Sequence, residues 1–245
     1  MTEILGVDIG GTGVKAAPVD IETGDLLADR FRLRTPRPAT PEALLAALGE
    51  LRDHFEWTDL VGCAFPGVVR GGTICTAANL HPSWIGVDLR AALATELDLT
   101  ATVVNDADAA GIAELAFGTD EMSTGTAILC TLGTGIGTAV FADGRLLPNT
   151  EFGHLDMGGI EAEKRASARA RDDLGLSWQE WSMHFTGFLQ ELEKLLWPNL
   201  FVIGGGISKK FDKYGPLIDV TTPVVPAALG NTAGIVGAAL AAIDA

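Results

Sequence analysis

A glycine-rich hairpin occurs twice in this 245-residue chain, and that repetition constrains the fold more than any other feature. Ile4–Ile9 reads as an apolar strand, Gly10-Gly11-Thr12-Gly13 turns the chain, and Val14–Val19 reads as the returning strand. A second turn at Glu22-Thr23-Gly24-Asp25 leads to a third strand. Some 123 residues later the pattern recurs: apolar Thr126–Leu132, the run Gly133-Thr134-Gly135-Ile136-Gly137, a strand Thr138–Phe141, the turn Ala142-Asp143-Gly144, and Arg145-Leu146-Leu147. Two copies at this separation specify two similar lobes. A solenoid would repeat every 20–50 residues or so.

Between and after the copies, helix and strand alternate. Thr40-Pro41-Glu42 supplies an N-cap and a first-turn proline for a helix with Leu44, Leu45, Leu48, Leu51 and Phe55 on one face. Val61–Phe65 predicts a strand, Asp88–Leu97 a helix, Ala101–Val104 a strand and Ala107–Phe117 a helix. Past the second hairpin come a basic helix over Glu161–Asp173, a longer helix whose Ser177-Trp-Gln-Glu start is a capping box, a buried strand Leu200–Ile203, and an alanine-rich helix over Gly230–Ala245. The pattern predicts an α/β fold of mixed sheets with a cleft between lobes. The lobes are placed at residues 1–105, with the helix 230–245 packing back on them, and at 106–229.

Composition narrows the function. No stretch approaches the roughly 20 apolar residues of a membrane span, and the opening MTEILGVDIGG has no basic flank, so it does not read as a signal peptide. A cytoplasmic location is expected. The three cysteines, Cys63, Cys75 and Cys130, lack zinc-site spacing and read as small buried apolar residues. A net charge of −15 argues against nucleic acid and anionic membrane as partners. The exception is Lys164–Lys213, where eight Lys/Arg meet six Asp/Glu.

A glycine turn between two strands lets the backbone approach an anion and aim its amides at phosphate oxygens, with the Thr12 hydroxyl as a further donor. Asp8-Ile-Gly-Gly-Thr-Gly-Val-Lys15 is not a Walker loop, because the Gly-Lys-Ser/Thr ending and the following helix are missing. One such turn is an ordinary hairpin connection. Two of them point to a phosphate channel.

Taken together, DIGGTGVK, LGTGIG, NDAD, EFGH and the late GGGIS resemble the ROK sugar kinases of the hexokinase–actin–Hsp70 superfamily. Family members usually carry closely spaced cysteines that bind zinc after the EFGH-type motif, and His154–Ser167 here has none. That absence, the short chain, and the ARDDLGLSWQEWS and GGGISKKFDKY segments resemble the actinobacterial polyphosphate-using glucokinases of the family.

The resemblance implies two RNase H-like lobes, phosphoryl transfer to the 6-hydroxyl of glucose from polyphosphate or ATP, Mg²⁺ as cofactor, and a homodimer. Asp106 is the implied general base, at the carboxyl end of a strand where ligand sites cluster, while locally Asn105-Asp106 also reads as a helix N-cap. Glu151 and His154 alone cannot complete a metal shell and suit sugar hydroxyls better. By resemblance they contact the hexose with Glu161, Asn105, Asp106 and Asn79. Glu161 otherwise reads as an acidic first-turn residue.

Gly10, Gly11, Thr12, Gly13 and Lys15 of the first turn, with Gly133, Thr134 and Gly135 of the second, are the expected phosphate contacts, and Asp8 the metal contact. Lys164, Arg165, Arg169, Lys209 and Lys210 are either a solvated face or a track for a long polyanion, with Arg165 and Arg169 sharing one helix face. Gly204, Gly205 and Gly206 either bound a nucleotide or only turn the chain. The stripe Trp178, Trp181, Phe185, Phe188 reads as core or subunit interface. An ATP-only hexokinase and a sugar-sensing repressor of the same family are the rival readings.

Overall fold

In the computed structural model, which describes residues 3–77 and 79–243, the hairpin repeat becomes two copies of one sheet. The first compact unit comprises Met1–Ala113 with Thr232–Ala245. Its strands β1 (Glu3–Ile9), β2 (Val14–Asp20) and β3 (Phe31–Leu33) run antiparallel. The helix α1 (Pro41–His54) follows, then β4 (Val61–Phe65), a small hairpin of β5 (Val69–Arg70) and β6 (Thr73–Ile74), the helix α2 (Leu89–Leu97), β7 (Ala101–Asn105) and the helix α3 (Asp106–Phe117). The sheet order is β3-β2-β1-β4-β7, with β4 and β7 parallel to β1.

The second unit, Glu114–Asn231, repeats this with β8 (Thr126–Leu132), β9 (Ile136–Ala142) and β10 (Arg145–Leu147) as the antiparallel part. Short helices α4 (Glu163–Ala166) and α5 (Ala168–Asp173) precede the long α6 (Trp178–Leu196). Then come β11 (Leu200–Gly204), α7 (Phe211–Tyr214) and β12 (Val224–Pro226). The order β10-β9-β8-β11-β12 is the same topology, with β11 and β12 parallel to β8. The last helix, α8 (Ala233–Ala241), returns to the first unit. It is shorter than the expected 230–245 because Gly230–Thr232 form a separate 3-10 turn, and residues 244–245 lie outside the described chain.

Local chemistry explains the element ends. Thr40 caps α1 by accepting from the Ala43 amide, and Ser177 and Glu180 complete a reciprocal capping box on α6. Asp143 and Gly144 both adopt positive φ, as a two-residue hairpin turn requires. The second glycine turn is tighter than expected: β9 begins at Ile136, paired with Leu132, so the loop is Gly133–Gly135 and Gly137 sits within the strand. In the first copy, Ile9 pairs with Val14 and the loop is Gly10–Gly13.

In the first unit, Leu44, Leu45, Leu48 and Leu51 of α1 pack with Phe65, Trp84 and the sheet. The helix α8 lies so close to the sheet and to α3 that side chains must be missing: a Cβ at Gly6 would collide with the Ile235 carbonyl, at Gly62 with the Ala238 carbonyl, and at Gly237 of α8 with the Ala109 carbonyl of α3. The division between units falls inside α3 rather than at its start, because Ala109 packs with Ala64 and Ala238. In the second unit Trp181, Phe185 and Phe188 are fully buried core, while Trp178 stands at its edge. Cys63 and Cys130 are buried in strands, and burial pushes both thiols up to about 12. Cys75 departs from the expectation: it is only partly buried, its thiol near the Thr73 carbonyl. Among the described residues no helix is long and apolar enough to cross a membrane.

Candidate active site

In the first unit the antiparallel register opposes Asp8 to Lys15, and Lys15 Nζ donates to Asp8 Oδ2 at 2.8 Å. The Gly10 amide donates to the Gly13 carbonyl, closing the turn, and the buried Thr35 hydroxyl donates to the Gly10 carbonyl. Thr12 stands exposed at the tip. Asn79 lies beside this turn: a Cβ at Gly11 would meet the Asn79 carbonyl at 3.2 Å. Sequence reasoning missed Arg32. The register of β2 and β3 opposes it to Lys15, and its guanidinium lies where a Gly13 side chain would be. The turn thus carries two cations, and pairing of the third strand is the signal that would have exposed the second.

Asn105 and Asp106 divide the work between them. Asn105 is buried, its Oδ1 accepting from the Ala107 and Asp108 amides at 2.8 and 3.0 Å, and its Nδ2 donating to the Gly67 carbonyl. It is the N-cap of α3 and ties that helix to the loop after β4. Asp106 is half-buried and accepts from the Ala107 amide through Oδ1. With Asn105 accepting from two amides of the first turn, the Asp106 carboxylate is held at the strand end beside it.

In the second unit Thr138, fully buried in β9, fixes the loop before the EFGH run. Its hydroxyl donates to the Thr150 carbonyl and accepts from the Phe152 amide. A Cβ at Gly153 would collide with the Ile136 carbonyl, so only glycine lets this loop lie on the first residue of β9. Glu151 and His154 are thereby brought to the second glycine turn. His154 Nε2 lies 3.8 Å from Glu151, and His154 Nδ1 lies 3.3 Å from Glu161. Burial raises the Glu151 pKa, His154 opposes the shift and Glu163 adds to it.

Residues 155–162, which lack the cysteines expected of the family, close on themselves. Asp156 bridges Glu161, the Met157 amide donates to the Ile160 carbonyl, and Gly158 and Gly159 take positive φ at the tip. Glu161 is therefore not in the first turn of a helix; it closes this hairpin. Glu163 was not anticipated. With His154 and Glu161 it forms a group whose ligand atoms lie within 4.8 Å of one another, so His154 has carboxylate neighbours that sequence spacing did not reveal.

The basic helix expected over 161–173 is broken. Ser167 is extended, at φ −70° and ψ 161°; its hydroxyl caps α5 at the Ala170 amide, and the Trp181 indole donates to the carbonyls of Ala166 and Ser167. Arg165 and Arg169 consequently lie on two separate helices and share no face. Lys164 pairs with Glu163 at 2.8 Å and Arg169 with Asp173 at 3.2 Å. Among the described residues Arg165, Lys209 and Lys210 are exposed with no carboxylate within ion-pair distance. The Arg171 guanidinium covers the Trp178 ring at 3.9 Å, and Lys210 Nζ lies 5.9 Å from it. Of the third glycine run, Gly205 has a structural need for glycine: φ is 80° and a Cβ would collide with the Leu132 carbonyl. Gly204 ends β11, and Gly206 faces open space.

Against known proteins, the likeness extends over the whole chain. The polyphosphate glucokinase of Mycobacterium tuberculosis is 48% identical over 240 residues, covering 98% of this chain and 91% of that protein. The crystal structure of an inorganic polyphosphate/ATP-glucomannokinase from Arthrobacter sp. strain KM superposes with a TM-score of 0.95 at 44% identity, covering 100% of both chains. A ROK family glucokinase from Streptomyces griseus, solved with glucose and AMPPNP, gives a TM-score of 0.84 at 26% identity, covering 99% of this chain and 100% of that one. Residues 4–169, from the first glycine hairpin to the start of α5, match the ROK family model, and the chain belongs to the ROK family.

Proposed function

We propose that this chain transfers the terminal phosphoryl group of inorganic polyphosphate, and of ATP, to the 6-hydroxyl of glucose. The observation that carries the reading is the 48% identity to a polyphosphate glucokinase across 98% of the chain. Asp106 accepts the proton of the attacking hydroxyl, a step that contributes about 10²–10⁴-fold in comparable enzymes. Asn105 positions it by capping α3. Glu151, His154 and Glu161 hydrogen-bond sugar hydroxyls, with Asn79 as a further contact. The amides of both glycine turns, with Lys15 and Arg32, hold phosphate oxygens, since phosphoryl transfer depends mainly on positioning and electrostatics.

The residues present fit a divalent cation such as Mg²⁺, which takes one or two carboxylates and fills its shell with water and phosphate oxygens. Asp8 offers such a carboxylate, with Oδ2 committed to Lys15 and Oδ1 left for a water of that shell. When bound, the cation supplies neutralisation of phosphate charge.

The test is a coupled glucose-6-phosphate assay run with polyphosphate and with ATP at matched phosphoryl concentration, and product from both donors is expected. The cations without carboxylate partners define the track to be probed: neutralising Arg165, Lys209 and Lys210 together weakens polyphosphate use several-fold and ATP use much less. Exposed contacts are screened over about 8 Å at physiological ionic strength, so the polyphosphate KM rises with salt while that for ATP changes little. Equal losses for both donors would return these residues to a solvated face, and no polyphosphate activity at low salt would leave an ATP-only hexokinase.

For the sugar side, His154→Ala is expected to raise the glucose KM by about 3- to 10-fold, the effect of a lost hydrogen bond, with a small change in donor KM. Equal rises in both KM values would assign His154 to the fold alone.

A further inference from the structure

Residues 30–37 contain four arginines, Arg30, Arg32, Arg34 and Arg37, in a chain whose net charge is −15. The fold brings the last three to the first glycine turn. Phe31 and Leu33 of β3 pack on the first core, so Arg32 between them faces the other side of the sheet, in the cross-strand row that holds Asp8 and Lys15. Its guanidinium lies against Gly13. The buried Thr35 hydroxyl then donates to the Gly10 carbonyl, which fastens the segment after β3 to the turn and leaves Arg34 and Arg37, on either side of Thr35, exposed. Among the described residues no carboxylate lies within ion-pair distance of Arg32, Arg34 or Arg37.

Cations are common on sheet edges, where they keep strands of other molecules from pairing, and the duplicated sheet shows how little of this row that role requires. The equivalent edge of the second sheet is β10. It carries one arginine, Arg145, and its ladder ends with Leu147 opposite Val140, well short of Ile136 at the second glycine turn. In the first sheet the ladder continues until Leu33 meets Val14, the first residue after the turn. Edge protection accounts neither for this extension nor for the arginines that follow it.

We propose that Arg32, Arg34 and Arg37 form a lane for a linear polyanion, the phosphates of a long polyphosphate that extend past the first glycine turn. The inference rests on the reading of that turn as a phosphate contact. Arginine suits the task because its planar fork matches phosphate oxygens and stays charged. A row of cations favours a chain charged at every unit over a donor whose few phosphates fit on the glycine turns. The lane belongs to the first unit, whereas Arg165, Lys209 and Lys210 belong to the second.

Arg34→Gln combined with Arg37→Gln leaves Lys15, Arg32 and the turn intact. In the full chain this pair is expected to raise the KM for long-chain polyphosphate by about 3- to 10-fold, the scale of two exposed charge contacts. The KM values for ATP, tripolyphosphate and glucose should move less than about twofold. Binding of the same long polyphosphate, measured by calorimetry, should weaken in parallel with its KM. Added salt should raise the polyphosphate KM more steeply in the wild type than in the double variant, because two screened contacts are gone. Arg34→Lys with Arg37→Lys keeps both charges and should stay within about twofold of the wild type. Residues that only guard the edge would not produce a loss that depends on donor length.

Unchanged KM and affinity for long polyphosphate in the folded glutamine variant, an equal loss with ATP, or a lysine variant as impaired as the glutamine one overturns the lane. A wild-type chain that binds polyphosphate but transfers no phosphoryl group from it overturns the reading of the donor instead, and the calorimetric comparison then decides the lane by itself. A wild-type chain that does not bind polyphosphate overturns both.

Discussion

Asp106→Ala is expected to lower the turnover of glucose phosphorylation by at least 10²-fold, with little change in melting temperature. The two halves of this expectation have separate causes. Turnover falls because the carboxylate that takes the hydroxyl proton is gone. Stability holds because Asn105, which accepts from two amides at the start of α3, remains in place. Asp106 itself accepts from the Ala107 amide and places a negative charge near the positive end of the helix dipole, a contribution of about 1 kcal/mol. Asp106→Asn removes the charge alone and should be nearly as damaging to turnover. Steady-state kinetics beside a thermal melt decide it: a folded variant within tenfold of wild-type turnover removes Asp106 from the chemistry.

The largest effect on stability is expected from Gly62→Ala, at about 3 kcal/mol or more. Gly62 is in β4, flanked by β1 and β7, and its missing side chain faces the Ala238 carbonyl of α8. The obstacle is backbone, which cannot swing aside as a side chain can. Either α8 lifts from the sheet and exposes buried Ile235 and Val236, or the strand is pushed from its neighbours. Gly49→Ala, in the interior of α1, is the contrast. Its Cβ would meet only the flexible end of Leu97, 3.3 Å away, so the better helix propensity of alanine should leave stability equal or slightly higher. Similar melting temperatures for the two variants would refute the packing argument.

Much of this was legible in the residues because it is local. The duplicated glycine hairpin announces two copies of one sheet, and the same strand order appears in each. Thr40 and Ser177 mark helix starts through hydrogen bonds spanning three residues. What was not legible depends on contacts distant in sequence. The run 161–173 has the composition of a helix, but Trp181 offers its indole to the Ala166 and Ser167 carbonyls, and the Arg169 amide donates to the Gly133 carbonyl. Those bonds reward a break at Ser167 that no local pattern predicts. Arg32 required the register of β3 on β2, and Glu163 required knowing that the chain after the 155–162 hairpin returns to the second glycine turn. The need for glycine at positions 6 and 62 is likewise invisible until α8 is laid on the sheet, and at 237 until it is laid against α3.

Because α8 belongs to the first unit, the order of synthesis is not the order of completion. As the ribosome delivers the chain, β1 to β7 emerge early, but the helix that covers Gly6 and Gly62 is made only after all of Glu114–Asn231. The second unit has its own core and every one of its strands before that moment. Domains made first usually fold first; here the nascent N-terminal sheet waits with one apolar face uncovered while its younger copy closes, and that interval is when a chaperone would find the most to hold.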